Sequence, residues 1–233
     1  MDYMTPKQAQ AMLDKILGQV FSQDASMSLE QFMRKYAFDI RLPQRVFDST
    51  TGEPTWTQAV NPTKFISIKN AWGRDDWDGV PKRPINGIED ILTAWNEVNY
   101  TATDRHLDSL RVAESDNVYT SECVYRSLDV SDSKYVLLSD GVFGSEYIAA
   151  GQRSYNSSYS IRIEDSQQCS NSFSVVWSKK VVNSMFIQDC SDMYECMFCS
   201  HITNKKFCIA NMQFDEEEYR KIKDIVVKWI LAS

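Results

Sequence analysis

The chain has 233 residues, a formal net charge of −7 and six cysteines. The acidic balance argues against nucleic acid or an anionic membrane surface as the main partner, because both carry negative charge themselves. No segment is long and apolar enough to cross a bilayer, and the N-terminus lacks the basic start and apolar run of a signal peptide. We therefore expect a protein that is not secreted by a signal peptide and whose cysteines remain thiols.

Two helices are predicted at the start of the chain. Thr5 is placed as the N-cap of the first and Pro6 at its first helical position, and Ser28 is a similar cap for the second. Because amphipathic helices usually bury their apolar face at home, we expect the first helix to pack in this protein's own core. Its apolar stripe consists of Ala9, Met12, Leu13, Ile16, Leu17, Val20 and Phe21.

Strands and turns follow between residues 39 and 72. Residues 45–47 and 55–57 predict a hairpin whose long tip is formed by the polar residues between them. Residues 64–68 alternate between polar and apolar side chains and predict another strand.

An acidic loop and a short helix complete the N-terminal half. The spacing of the carboxylates at 75–78 matches no calcium-binding loop, so we expect exposed acids beside buried tryptophans at Trp72 and Trp77. A short amphipathic helix is then predicted from residue 88 to residue 98 by its apolar residues Ile88, Ile91, Leu92 and Trp95.

The stretch from Ser115 to Phe214 repeats itself. Its aromatic residues recur mostly at steps of about twelve to sixteen residues, which suits one coil of a β-solenoid. Each follows a Ser, Asn or Asp that bends the chain, and alternation in between predicts interior ladders of aromatics and of small Cys and Ser side chains. An ordinary antiparallel β domain with short strands is the alternative. The aromatics are Tyr119, Tyr135, Tyr147, Tyr159, Phe173, Phe186, Tyr194 and Phe207.

Composition divides the chain into two regions. All six prolines lie at or before Pro84, and all six cysteines lie at or after Cys123. Proline removes a donor from a strand ladder, so its absence suits continuous β-coils. We predict a mainly β protein in which an irregular α+β region at 1–110 precedes a single-stranded β-solenoid with a C-terminal capping helix at 111–233. Asp215 is placed as the N-cap of that helix and Glu218 at its third position.

The residues offer little for catalysis. The two histidines, His106 and His201, lie in no nucleophile motif, and no phosphate-binding glycine loop is present, so we assign no catalytic or cofactor-binding residue. A weak alternative is a zinc site at Cys196, Cys199, His201 and Cys208, since zinc takes four such ligands. Cysteines also recur at repeat positions here, and small buried residues explain them without a metal. We therefore expect no metal.

The end of the chain resembles a known group of proteins. Residues 204–214 (Asn-Lys-Lys-Phe-Cys-Ile-Ala-Asn-Met-Gln-Phe) and then Glu217, Glu218 and Tyr219 are similar to the ending N-K-[KQ]-[YF]-C-I-x-N-x-Q-[YF]-x-x-E-E-Y. This ending occurs in largely uncharacterised Cys/Tyr-rich repeat proteins of Patescibacteria-type bacteria and some tailed phages. The resemblance implies a repeat fold and a phage or bacterial source. The chain departs from the group in having fewer repeat cysteines and no N-terminal zinc-ribbon cysteines.

Two functional hypotheses follow. The first is a non-enzymatic structural or interaction protein, such as a phage particle component or accessory, that docks to protein partners or to itself through a rigid repeat surface. Such a protein is expected in the cytoplasm or on the virion and in a complex, because the terminal helices and the tryptophan-rich N-terminal half supply more apolar surface than a narrow solenoid covers. The second is a ligand-binding or carbohydrate-active β-solenoid, which requires paired carboxylates beside exposed aromatics on one face.

Overall fold

The computed structural model describes residues 3–23, 27–61, 63–74 and 80–232; the acidic loop and Trp77 lie outside these ranges. The helices of the described residues are α1 (Pro6–Phe21), α2 (Leu29–Tyr36), α3 (Ile68–Trp72), α4 (Ile88–Val98) and α5 (Glu216–Ala232). Four strands precede the repeats: β1 (Gln44–Phe47), β2 (Pro54–Thr57), β3 (Lys64–Ser67) and β4 (Tyr100–Thr103). None of these helices is long and apolar enough to cross a membrane.

The remaining strands belong to the repeats and begin at His106, a few residues before the predicted boundary at 110. They are β5 (His106–Leu107), β6 (Leu110–Ala113), β7 (Asp116–Tyr119), β8 (Glu122–Tyr125), β9 (Leu128–Ser131), β10 (Lys134–Leu137), β11 (Asp140–Phe143), β12 (Glu146–Ala149), β13 (Gln152–Tyr155), β14 (Ser158–Gln167), β15 (Ser170–Val176), β16 (Lys179–Val182), β17 (Met185–Gln188), β18 (Ser191–Tyr194), β19 (Met197–Ser200), β20 (Thr203–Lys206), β21 (Cys208–Ile209) and β22 (Met212–Gln213).

The predicted fold class is confirmed: about nine coils of a β-solenoid occupy residues 106–209, between an irregular α+β region and a C-terminal helix. Most strands pair in parallel with the strands two places before and after them, so Val136 lies between Val124 and Ile148. The longer strands β14 and β15 each span more of a coil and also pair with their neighbours along the chain. The step from coil to coil is therefore twelve residues. Neighbouring coils satisfy each other's backbone groups, which an isolated coil has no means of doing.

The backbone of the solenoid has a period of three, and the expected two-residue alternation is wrong. From Asp108 to Ala210 every third residue has a positive φ, near 50° in most cases. Each left-handed residue turns the chain, so one side chain in three points into the coil and the other two point outward. Left-handed geometry is hardest for β-branched residues, and at these positions Thr120 is the one β-branched residue.

The interior consists of stacked columns of like residues. Two columns are aliphatic and buried, and together they form a continuous cluster: Val112, Val124, Val136 and Ile148 in one, and Val118, Val130 and Val142 in the other. Serines occupy the positions between them. Ser139 shows their role, because its Oγ donates to the Leu137 carbonyl at 2.7 Å and accepts from the Gly151 N–H at 2.9 Å. The expected interior ladders of small Ser and Cys residues are confirmed.

The expected interior ladder of aromatics is wrong. Tyr135, Tyr147 and Tyr159 do stack on one another, with ring centroids 4.3 Å apart, but they stand outside the coil on a left-handed column. α1 covers this flank, and Lys15 Nζ donates to the Tyr147 hydroxyl at 2.5 Å. An aromatic ring is too large for a twelve-residue coil whose interior is filled by Val and Ser. The aromatics therefore join the coil to the helices.

α1 and α2 form as predicted. Thr5 and Ser28 each cap their helix through a capping box with a glutamine three residues later. All seven residues of the predicted α1 stripe are buried, and Phe21 packs against Phe173 with ring centroids 5.4 Å apart. The expectation that this stripe is core is confirmed, because α1 lies on the flank of the solenoid.

The N-terminal strands cover the first coils. β1 and β2 form the predicted hairpin, and β3 pairs in parallel with β4. The Trp56 carbonyl accepts a hydrogen bond from the Asp104 N–H at 2.9 Å, which joins the hairpin to the start of the solenoid. Trp72 is 65% exposed, so its expected burial is wrong.

At the other end, the chain turns back and covers the last coil. β22 pairs antiparallel with β21 and occupies the strand edge that a further coil would use. α5 then begins with the predicted Asp215 cap, which accepts from the Glu218 N–H at 2.9 Å. The helix runs back along the flank, where Lys223 Nζ lies 3.1 Å from Glu195 and Trp229 contacts Phe186.

Candidate interaction surfaces

The residues of the zinc alternative occupy two separate places. Cys196, Cys199 and Cys208 are buried inside the last coils, where Cys199 continues an aliphatic column after Ile187. His201 lies on the outer surface, with Nε2 3.4 Å from Asp189. In the parts of the chain that the structure describes, no group of three or more His, Cys, Asp or Glu is arranged to hold a metal ion.

Five of the six cysteines instead act as interior packing residues, whereas Cys123 lies on the outer left-handed column with Tyr135. All six are buried. Burial raises the pKa of Cys169 to about 11. In the coupled pair Cys196 and Cys199, the hydrogen bond between the two thiols raises the pKa of Cys196 and lowers the pKa of Cys199. A thiol held protonated in an apolar interior is a poor nucleophile and a poor ligand. Burial keeps all six thiols away from reagents at the surface.

The predicted helix at 88–98 forms as α4, but it presents its apolar face to solvent. No residue of the helix is buried. Soluble domains rarely leave so many adjacent large apolar side chains in water. We name the four residues the α4 stripe: Ile88, Ile91, Leu92 and Trp95 are 62, 47, 51 and 57% exposed, in that order.

The charges around the α4 stripe are mostly acidic. Glu89 and Asp90 occupy the first turn, where they suit the positive end of the helix. Glu97 at the other end forms an ion pair with Arg83 at 2.9 Å. The half-buried side of the helix is a separate one and contains Asp90, Ala94 and Val98. The α4 stripe is thus an apolar surface with an acidic edge.

A second surface is the Arg41 groove, an open depression of about 520 Å³ across the early coils. Arg41 extends from the segment after α2 and lies 3.1 Å from both Asp129 and Asp140. Burial raises the pKa of Asp140 against the opposing effect of Arg41. Aromatic side chains stand beside this bridged pair of carboxylates: Tyr119, Phe143 and Tyr155 line the same groove.

The groove exists because one outward column lacks a side chain at Gly141. Asp129 precedes this glycine by one coil and Arg153 follows it by one. Its φ is +79°, and an added Cβ would lie 3.2 Å from the Arg153 backbone nitrogen. A larger residue would therefore fill the depression and strain the chain.

Comparison of the chain with protein-family models, curated proteins and solved structures gives no match. Function is therefore inferred from the geometry of these surfaces.

Neither surface is predicted from the sequence, although the residues of both are regularly spaced in it. The four apolar residues of α4 were found at helical spacing, but sequence does not show which amphipathic helices lack a partner. The Arg41 groove has a twelve-residue signal, since Asn117, Asp129, Gly141 and Arg153 follow one another at that spacing. That signal becomes readable once the length of the coil is known.

Proposed function

We propose that this chain is a non-enzymatic interaction protein that docks to another protein by placing α4 in an apolar groove of its partner. The observation that carries the proposal is the exposed α4 stripe. Its residues stand at positions i, i+3, i+4 and i+7, which is the spacing with which amphipathic helices anchor in grooves. The solenoid serves as the rigid support that holds the helix.

The acidic edge of α4 selects a partner whose groove has a basic rim. Glu89 flanks the stripe at its first turn, and the whole chain carries a net charge of −7. Two copies of α4 packed face to face would bring like charges together, which disfavours a dimer of this chain through the same surface. A different protein with complementary charge is the better occupant.

A place in a phage particle, or in the bacterium that supports the phage, is the setting we propose for this docking. It rests on the resemblance of the C-terminal ending to repeat proteins of tailed phages and Patescibacteria-type bacteria. Genes for capsid or tail proteins next to this gene would support the virion, and a neighbourhood without them would argue for a bacterial complex.

The test is a double substitution in the stripe, Leu92→Glu with Trp95→Ala, against a matched control in α5. Ile225→Glu with Trp229→Ala is the control, because those residues are 67 and 56% exposed on another helix. Wild type, stripe variant and control are recovered from the native host, and each protein that co-purifies is identified by mass spectrometry. Its affinity for all three is then measured with purified components.

Supporting results are a partner with a basic, apolar groove whose affinity falls at least tenfold with the stripe variant and is kept by the control. Loss of two central apolar anchors commonly exceeds the 1.4 kcal/mol that a tenfold change represents. Equal affinity for all three proteins would refute the proposal. Stripe-dependent dimerisation of the purified chain, seen by light scattering, would assign the surface to a second copy instead.

Saccharide binding in the Arg41 groove is the second candidate function. It is favoured by two carboxylates, Asp129 and Asp140, beside the exposed ring of Tyr155. Sugar hydroxyls can donate hydrogen bonds to the carboxylates, and the flat apolar face of a sugar ring can stack on the tyrosine. Titration with neutral oligosaccharides tests it. Tyr155→Ala should abolish binding and Tyr194→Ala should not, although both rings are 42% exposed. Binding that survives Tyr155→Ala would exclude the groove.

A further inference from the structure

A second concave region, besides the Arg41 groove, lies where the N-terminal strands meet the first coils. It encloses about 460 Å³, which is in the size range of small-ligand sites. We name it the junction cavity. It is lined by Tyr3, Glu53, Trp56, Trp72, Asp104 and His106, among other residues. These come from the segment before α1, from β2, from α3 and from the start of the solenoid, so the cavity exists only in the assembled fold.

Aromatic side chains dominate the rim of the junction cavity. Trp72 and Tyr3 are 65 and 57% exposed, and Trp56 is half-buried beside them. Exposure of two large aromatic rings to solvent at the mouth of a cavity is unfavourable unless a ligand covers them. Aromatic faces attract organic cations through the negative potential above the ring, and tryptophan does so best.

The polar groups of the cavity are mainly hydrogen-bond acceptors. The Asp104 carboxylate accepts from the Thr55 hydroxyl at 2.5 Å and from the Trp56 N–H at 2.9 Å, which fixes its position. His106 Nε2 lies 2.7 Å from the Ser115 carbonyl, so Nε2 must donate and Nδ1 is left as an acceptor in the neutral ring. Glu53 adds an exposed carboxylate.

The balance of charge in the cavity is negative. Among the residues that the structure describes, its lining includes the carboxylates of Asp48, Glu53, Asp104 and Glu114 and the ammonium of Lys69. Asp48 has an internal structural role, because it accepts hydrogen bonds from Thr50, Ser67 and Asn70 in the surrounding turn. Glu53 and Asp104 are the carboxylates whose charge is least compensated, and burial raises the pKa of Asp104. A bound cation would relieve that cost.

From these observations we infer that the junction cavity binds an organic cation of the alkylammonium class. The rings of Tyr3, Trp56 and Trp72 contact the apolar body and the face of the cation, and the carboxylates of Glu53 and Asp104 compensate its charge. The shared chemistry is found both in free amines and in lysine side chains of a peptide. This inference is independent of the docking of α4, since it concerns different residues.

The experiment is a titration of the purified full chain with choline, followed by tryptophan fluorescence and by calorimetry. The control ligand is 3,3-dimethyl-1-butanol, which has the shape of choline without its charge. Two variants remove single contributions at exposed positions, Trp72→Ala and Glu53→Gln. Their matched controls are Trp177→Ala and Glu146→Gln, an exposed tryptophan and an exposed glutamate on the solenoid far along the chain.

We expect saturable binding of choline, at least tenfold weaker binding of the neutral alcohol, and about a five- to tenfold loss for each cavity variant but not for its control. A peptide containing trimethyl-lysine is titrated in parallel. Tighter binding of the peptide would identify a peptide side chain as the source, and tighter binding of choline a free amine. Equal affinity for choline and its neutral analogue, or no saturable signal at millimolar concentrations, would overturn the inference.

Discussion

Replacement of Ser139 by alanine tests whether the interior serines stabilise the solenoid. The Ser139 hydroxyl joins two coils: it donates to the Leu137 carbonyl at 2.7 Å and accepts from the Gly151 N–H at 2.9 Å. Alanine fits the same space but provides neither interaction. The Leu137 carbonyl keeps a second donor, the Ala150 N–H at 3.0 Å, whereas the Gly151 N–H is left buried without an acceptor.

The expected loss follows from that one unpaired group. A buried donor without a partner costs about 1–3 kcal/mol, so Ser139→Ala should lower the free energy of unfolding by this amount. The measurement is urea denaturation followed by circular dichroism. Ser170→Ala is the control, because Ser170 stands outward at the surface of the coil, and surface substitutions usually change stability by about 0.5 kcal/mol or less.

A cysteine at the same position gives a third comparison. Cys169 already replaces serine in the other serine column, where it follows Ser157 and its Sγ lies 3.6 Å from the Gln167 carbonyl. Ser139→Cys should therefore retain more stability than Ser139→Ala. The reasoning would be refuted if Ser139→Ala unfolded at the same urea concentration as wild type and the Ser170→Ala control, because the serine columns would then be spacers without energetic weight.

Three other predictions concern the flank, the thiols and pH. Phe173→Ala should cost about 3–5 kcal/mol in urea denaturation, since the ring is 3% exposed and packs against Phe21 and Tyr36; a loss below about 1 kcal/mol would contradict this packing. The six buried thiols should react with Ellman's reagent only after denaturation, and rapid reaction of any thiol in the native protein would contradict their burial. A hydrogen bond from Arg162 lowers the pKa of Asp39 below its ordinary 3.8, so the pair stabilises the fold above that value and the stabilisation is lost as pH falls through the lowered pKa. Asp39→Asn should remove that part of the acid dependence in pH-resolved denaturation, and coincident pH profiles would exclude a contribution of the pair.

The N-terminal elements were predictable because each has a local signal. The cap at Thr5 and the seven apolar residues of α1 are separated by helical spacing, and no other part of the chain is needed to find them. The hairpin of β1 and β2 similarly depends on a polar tip between two short β-rich segments. Local signals of this kind specify which element forms, but they do not say against which surface it packs.

The residues that predict the solenoid are mostly not the residues that fill its interior. Tyr135, Tyr147 and Tyr159 stand twelve residues apart, at the lower end of the predicted range of about twelve to sixteen, but they belong to the outer flank under α1. The interior residues, such as Ser115 and Val118, mix polar and apolar types at a spacing of three, which matches neither a helix nor an ordinary strand. A serine that hydrogen-bonds backbone groups inside a coil was therefore indistinguishable from a serine in a turn.

The period of three also explains where function can reside on this molecule. One residue in three fills the interior and one in three adopts a left-handed conformation that costs roughly 1–2 kcal/mol for any residue with a side chain. Such a backbone is stable only where contacts between stacked coils compensate this cost. Few substitutions are therefore tolerated in the interior columns. Outward positions have more freedom, and the irregular N-terminal region has the most. The α4 stripe and the aromatic rim of the junction cavity both lie in this region. Their apolar side chains are exposed to water, which is unfavourable and which the fold itself does not require. A contact with a partner or ligand would remove that disadvantage, which is why the two proposals concern these surfaces and not the regular faces of the coil.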